Sequence, residues 1–181
     1  MNKAFQKIWS IVTTLLVAAV VLLAVLLGGV RLIGLTPFAV LSGSMEPAYQ
    51  VGSLIYVQKV APENIQVGDP ITFVLNADLL VATHRVVEID KVNSYFFTKG
   101  DANDNPDGAP VHFNNLIGKP VFTIPKLGYV ASALSTQKGM ILAGTAIIVL
   151  LILVFIPDLL KKAEQADARD KSRKGVKHPE V

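Results

Sequence analysis

The sequence contains no cysteine, which removes disulfides, thiol nucleophiles and cysteine-based zinc or iron–sulfur sites from consideration. An exported domain built from this chain must therefore hold together by its apolar core alone. Histidine is scarce as well. His84 and His112 are the only two in the central part of the chain, so an imidazole base has few candidates. Charge is missing altogether from two long stretches. Ile11–Val30 runs for twenty residues without a charged side chain, and Gly139–Ile156 for eighteen, ending at Pro157. At about 1.5 Å of rise per residue, each crosses or nearly crosses a hydrocarbon layer of roughly 30 Å as a helix.

A cleaved secretory signal peptide is the competing reading of the first run, since Lys3 and Lys7 precede it. Its length exceeds the usual h-region of about 7–15 residues, which favours an uncleaved anchor. The run also ends in GGVRLIG, without a small-x-small cleavage site leading into polar sequence. The second run is apolar on every face and abuts a charged tail, which fits a span better than a buried core helix.

Basic residues set the orientation. Lys3 and Lys7 lie before the first run; Lys161, Lys162, Arg169, Lys171, Arg173, Lys174 and Lys177 follow the second. The positive-inside rule then puts both ends in the cytoplasm and the middle segment outside. That segment, Leu32–Gln137, carries six Lys/Arg against nine Asp/Glu. The net charge of +3 thus comes from the tails. It signals topology and a lipid surface as partner, and nucleic acid is not expected. The expected organisation is a cytoplasmic N-terminus at 1–10, a first transmembrane helix at 11–34 and an extracytoplasmic domain at 35–137. A second transmembrane helix at 138–157 and a basic cytoplasmic tail at 158–181, a frayed helix or disordered, complete it.

The middle segment reads as mainly β. Leu54–Gln58, Ile71–Leu75, Leu80–Ile89, Ser94–Thr98 and Leu116–Ile124 are short, rich in β-branched and aromatic residues, and bounded by Gly, Pro, Asn and Asp. Pro37 halts the first helix, and Phe38–Ser42 leads into a turn at Gly43–Pro47. The stretch GDANDNPDGAP from Gly100 is a loop, and a weak helical period lies around Tyr129–Gln137.

Three pieces could carry chemistry. Ser44 lies in the turn SGSMEP; a serine hydroxyl needs an adjacent base and an oxyanion site to become a nucleophile. On turn statistics alone an ordinary loop serine is the better reading. His84 can supply the base, although a lone strand histidine more often serves packing. Asp101, Asp104 and Asp107 follow in the acidic loop, where a carboxylate could orient the imidazole; Asp104 reads as a solvated turn residue.

Together the motifs VLSGSMEP (Val40–Pro47), VGSLIYVQKVAPENIQVGDPITF (Val51–Phe73), HRVVEI (His84–Ile89) and FTKGDANDNPD (Phe97–Asp107) resemble the signal peptidase I family. The resemblance is to its Ser-His branch, of the endoplasmic reticulum, archaea and sporulating Gram-positive bacteria, and it covers residues 37–130. It implies a β-rich catalytic domain flanked by two transmembrane helices, with Ser44 as nucleophile and His84 as general base. Asp107 would complete the triad, Asp101 would be a second acidic position, and the Ser42 hydroxyl would assist at the oxyanion. Lys59 and Lys99 are rival bases, since the common bacterial branch uses Ser-Lys, but the lysine box of that branch is not matched. No metal or organic cofactor is implied. The implied substrates are signal peptides of exported precursors, with the bilayer, and room for a translocon or accessory subunits, as partners. The two-span pattern with its basic tail favours a bacterial or archaeal plasma membrane over the endoplasmic reticulum. The alternative function is a membrane-anchored β-domain without catalysis, acting as a binding or assembly module. A self-cleaving peptidase is disfavoured by the two spans.

Overall fold

The computed structural model describes residues 3–75 and 80–175, and these divide into two units: residues 3–23 with 137–175, and the described residues between 24 and 136. Two helices dominate the first unit. α1 (Lys3–Leu27) begins there and ends inside the second unit, and α3 spans Gln137–Gly175. Their apolar portions, Ala4–Leu27 and Gln137–Pro157, are long and apolar enough to cross a membrane. Only 6% and 0% of the most apolar windows are buried by protein, unlike the core helix of a soluble domain. Unburied apolar helices of this length suit a membrane protein.

α3 does not stop at Pro157 but continues to Gly175, so of the two expectations for the tail, frayed helix or disorder, its described part is helical. Lys177 lies outside the described residues. Pro157 has no N–H, so the carbonyl four residues earlier, that of Leu153, loses its place in the helical ladder. The indole Nε1–H of Trp9 donates to that oxygen at 3.1 Å. Helices that cross lipid keep a proline when a neighbouring side chain satisfies the freed group, and Trp9 does so here. Trp9→Phe should therefore destabilise the helix pair by ~1 kcal/mol, a typical value for a polar contact between spans. The loss should shrink in a Pro157→Ala background, where the ladder regains its own donor. Thermal unfolding of the four proteins in detergent checks this; equal losses in both backgrounds would contradict it.

The second unit is mainly β. Among the described residues seven strands form one sheet in the order β1-β2-β7-β3-β4-β5-β6, all neighbours antiparallel. The strands are β1 (Leu35–Ala39), β2 (Leu54–Gln58), β3 (Pro70–Val74), β4 (Val81–Asp90), β5 (Tyr95–Lys99), β6 (Val111–His112) and β7 (Leu116–Ile124). A short helix, α2 (Leu127–Leu134), follows β7. β2 and β7 have the bounds their composition predicts, and β3, β4 and β5 are shifted by one residue. β1 is an additional strand: Pro37 lies within it, pairing opposite Tyr56. An edge strand tolerates proline because one side of its backbone has no ladder to donate to.

Between α1 and β1 the chain passes through a 3-10 turn, Gly29–Ile33, and Gly34 takes φ of 80° to redirect it. The last carbonyls of a helix lack intrahelical partners. One of them, Leu26 O, accepts from the Tyr56 hydroxyl at 3.0 Å, tying the end of α1 to β2. Burial holds the Tyr56 phenol above its ordinary pKa, so it stays a donor.

Ile65, Ile71, Phe73, Val86, Phe96 and Val111 pack into one buried cluster. Each large side chain removed from water in this way stabilises the domain by about 1.5–3 kcal/mol. Strand alternation then decides where the polar residues go. In β4, His84 lies two residues from Val86 and opposite Ile71, so it shares the cluster's face. Arg85, next along, faces the other way.

Candidate active site

Ser44 sits in the turn after β1, and its position is set mainly by backbone contacts. The N–H of Glu46 donates to Gly43 O at 3.0 Å and that of Tyr49 to Met45 O at 2.9 Å. Met45, 2% exposed, anchors the turn in the protein interior. The loop after β5 buttresses it from outside: Ala102 N–H donates to Ser44 O at 2.9 Å. Gly100 allows that approach, because a Cβ there would lie 2.6 Å from the Ser44 carbonyl oxygen.

From β4, His84 reaches Ser44, with Nε2 to Oγ at 3.1 Å. Its other nitrogen, Nδ1, lies 2.6 Å from Asp107 Oδ2. A carboxylate at that distance accepts from Nδ1–H and so leaves the Nε2 lone pair of the neutral ring directed at the serine hydroxyl. The His84 and Asp107 side chains are 16% and 22% exposed, enough for access yet sheltered from bulk water. The Phe73 ring packs edge-on against the imidazole at 6.3 Å between centroids.

Ser42 Oγ lies 3.3 Å from Ser44 Oγ. The N–H of Ser44 makes no hydrogen bond among the described residues, so two donors are available beside Ser44 Oγ. Preorganised donors of this kind stabilise a developing oxyanion.

The two acids of the loop part company. Asp107 meets His84, whereas Asp101 forms a two-pronged pair with Arg85, through Nε at 2.7 Å and Nη2 at 2.6 Å. The remaining Arg85 donor, Nη1, reaches Gly68 O at 2.7 Å. Asp101 holds the guanidinium pKa above its ordinary value, chiefly through these hydrogen bonds. Arg85 thereby clamps the loop after β5 to the turn before β3. Tyr49 packs near this pair, and its phenol is raised first by burial, with Arg85 opposing and Asp101 adding. A phenol so raised stays protonated at neutral pH and is no base for the serine.

Neither Lys59 nor Lys99 hydrogen-bonds to Ser44; the partners of Ser44 Oγ among the described residues are His84 and Ser42. His112 is engaged elsewhere, accepting from Asn114 N–H at Nδ1 and packing edge-on to Tyr95. Asp104 is exposed, as its turn-rich surroundings suggest. Arg85 and Thr98 contribute to the site without having been singled out from sequence. In a strand both look like ordinary facing or packing residues, and only the pleat shows which side each serves.

A cleft of about 990 Å3 opens beside Ser44 and His84. Pro37, Ala39, Leu41, Leu80 and Ala82 are among the residues that line it. Its lining is mainly apolar.

A family model described as "Signal peptidase, peptidase S26" matches residues 12–105. That range takes in Ser42, Ser44, His84 and Asp101 and stops two residues short of Asp107. Signal peptidase I W of Bacillus subtilis is 46% identical over 86 residues, covering 46% of this chain and 45% of the relative. The human signal peptidase complex catalytic subunit SEC11C is 35% identical over 71 residues, 38% of this chain and 37% of the relative. The SEC11 subunit of Zygosaccharomyces rouxii is 32% identical over 111 residues, 55% of this chain and 65% of the relative. The matched segments thus span less than half the length of the first two relatives.

Proposed function

The chain belongs to the signal peptidase, peptidase S26, family, and from that premise we propose that it is a membrane-bound serine endopeptidase removing signal peptides from exported precursors. The observation that carries the reading is the continuous path Ser44 Oγ to His84 Nε2, 3.1 Å, and His84 Nδ1 to Asp107 Oδ2, 2.6 Å. In the proposed reaction Ser44 Oγ attacks the scissile carbonyl while its proton passes to His84 Nε2. Asp107 stabilises the imidazolium that results. Ser44 N–H and the Ser42 hydroxyl take the oxyanion. His84 then protonates the leaving amine, and water delivered through the same imidazole hydrolyses the acyl-serine.

The mainly apolar cleft of about 990 Å3 beside Ser44 gives room for a length of substrate chain next to the nucleophile. Ser44 lies fourteen residues beyond Val30, so the chain itself tethers the nucleophile within reach of the bilayer. A precursor whose apolar segment stays in lipid would be held at the same level, raising its effective concentration. The basic residues at both ends support cytoplasmic termini with residues 35–137 outside. Accessory subunits fit the relatives whose names place them in a signal peptidase complex.

Incubating the purified protein with a signal-peptide-bearing precursor should give one cut, at the end of the signal peptide. Mass spectrometry of the released mature N-terminus checks it. An unprocessed precursor, or cuts scattered through the mature region, would overturn the reading.

A further inference from the structure

Asp107 is the member of the proposed triad that stands on an exposed loop. It ends a loop whose residues 102–106 are all exposed, with Pro106 immediately before it. Its carboxylate would turn readily to water unless something held it toward His84. The structure supplies that hold from β5. Thr98, 1% exposed, donates its hydroxyl to Asp107 Oδ2 at 2.6 Å. The N–H of Asp107 donates to Thr98 O at 2.8 Å. One residue of β5 thus grips Asp107 by backbone and side chain together.

The pleat explains why position 98 can do this. Thr98 pairs opposite Val86, and His84 lies two residues from Val86 on the same strand. Cross-strand partners share a face, so Thr98 and His84 point the same way and converge on one carboxylate oxygen. Oδ2 accepts from both, which fixes the carboxylate's position and leaves Nδ1–H as the imidazole's donor.

We propose that Thr98 is a positioning residue for the reaction, its buried hydroxyl holding Asp107 so that His84 presents Nε2 to Ser44. This rests on the peptidase reading given above. The competing account is purely structural, a buried threonine donating to the nearest acceptor. The two differ in what the hydroxyl does for turnover. Hydrogen bonds to charged groups are strong enough that losing this one should lower kcat about 10- to 100-fold. Substrate binding does not use it, so KM should stay within about twofold.

The test uses the full-length protein in lipid vesicles, with Thr98→Val, which keeps shape and strand preference, and Thr98→Ser, which keeps the hydroxyl. Kinetics on a signal-peptide substrate are measured beside the rate at which a fluorophosphonate probe modifies Ser44, and thermal unfolding is followed for each variant. Expected is a fall in kcat and in labelling rate for Thr98→Val at unchanged KM, with Thr98→Ser close to the parent. Parental turnover by Thr98→Val overturns the proposal, as does an equal fall in both variants, which would indicate packing. If Thr98→Val melts several degrees lower, Thr98→Cys replaces it, keeping the size and weakening the donor. If the parent protein cuts no signal peptide yet Ser44 reacts with the probe, the substrate reading fails and the labelling rates still decide Thr98. If the parent cuts a signal peptide without reacting with the probe, kcat alone decides Thr98; if it does neither, the nucleophile assignment and the role of Thr98 fall together.

Discussion

Ser44→Ala should abolish precursor cleavage, a loss of about 10^4-fold or more, while the protein stays folded in membranes. The size follows from chemistry with no substitute. Ser42 Oγ is the nearest other hydroxyl, 3.3 Å away, but the described contacts of His84 Nε2 include only Ser44. A neutral serine is a weak nucleophile without such a base, so Ser42 should not take over. The fold should survive because the turn is not held by the lost hydroxyl. Its supports are Ala102 N–H on Ser44 O, Glu46 N–H on Gly43 O, and the buried Met45 side chain, all retained by alanine. Precursor processing by purified variant in vesicles, with circular dichroism of the same sample, reads both halves. Processing at the parental rate would remove Ser44 from the mechanism. Loss of the β signal would mean that the turn depends on the hydroxyl after all.

How far the molecule was legible in its sequence depends on whether the deciding contact is local. β2 and β7 could be bounded because their β-branched and aromatic residues run up to turn formers. β1 was hidden because Pro37 argues against a strand; at a sheet edge that argument loses force, and edge position is a property of the whole sheet. Whether α3 continues unbroken past Pro157 was left open by the sequence for a similar reason. The donor that compensates the proline is Trp9, which bonds Leu153 O across 144 positions of sequence. In the site, Ser44 and His84 were picked out by the motifs around them. The two acids were not separable by spacing, as Asp101 and Asp107 occupy one turn-rich loop. What separates them is the alternation of β4: His84 faces the core side and meets Asp107, while Arg85 faces away and meets Asp101. Thr98 was missed because a threonine in FFTK reads as strand propensity, and its role emerges only from cross-strand register.

That separation predicts unequal consequences for two otherwise equivalent substitutions. Asp107→Asn should lower kcat by about 10^2- to 10^4-fold, as expected when an imidazole loses its carboxylate partner. An asparagine can offer either end to the imidazole. With its oxygen in place of Oδ2, the hydrogen bonds from Nδ1–H and Thr98 persist but the imidazolium loses its counter-charge. With its amide nitrogen there, the donor faces Nδ1, favours the tautomer protonated at Nε2, and takes the lone pair away from Ser44. Both outcomes act on proton transfer, so KM should change little. Asp101→Asn instead breaks a two-pronged ion pair that ties the loop after β5 to Arg85 and, through Arg85, to Gly68 O. The effect should appear first in thermal stability, with a smaller fall in kcat, on the order of tenfold, transmitted through the Ala102 contact to Ser44. Kinetics and unfolding of both variants in vesicles decide the matter. An Asp101→Asn protein of parental stability whose kcat falls as far as that of Asp107→Asn would reverse the assignment of the two acids.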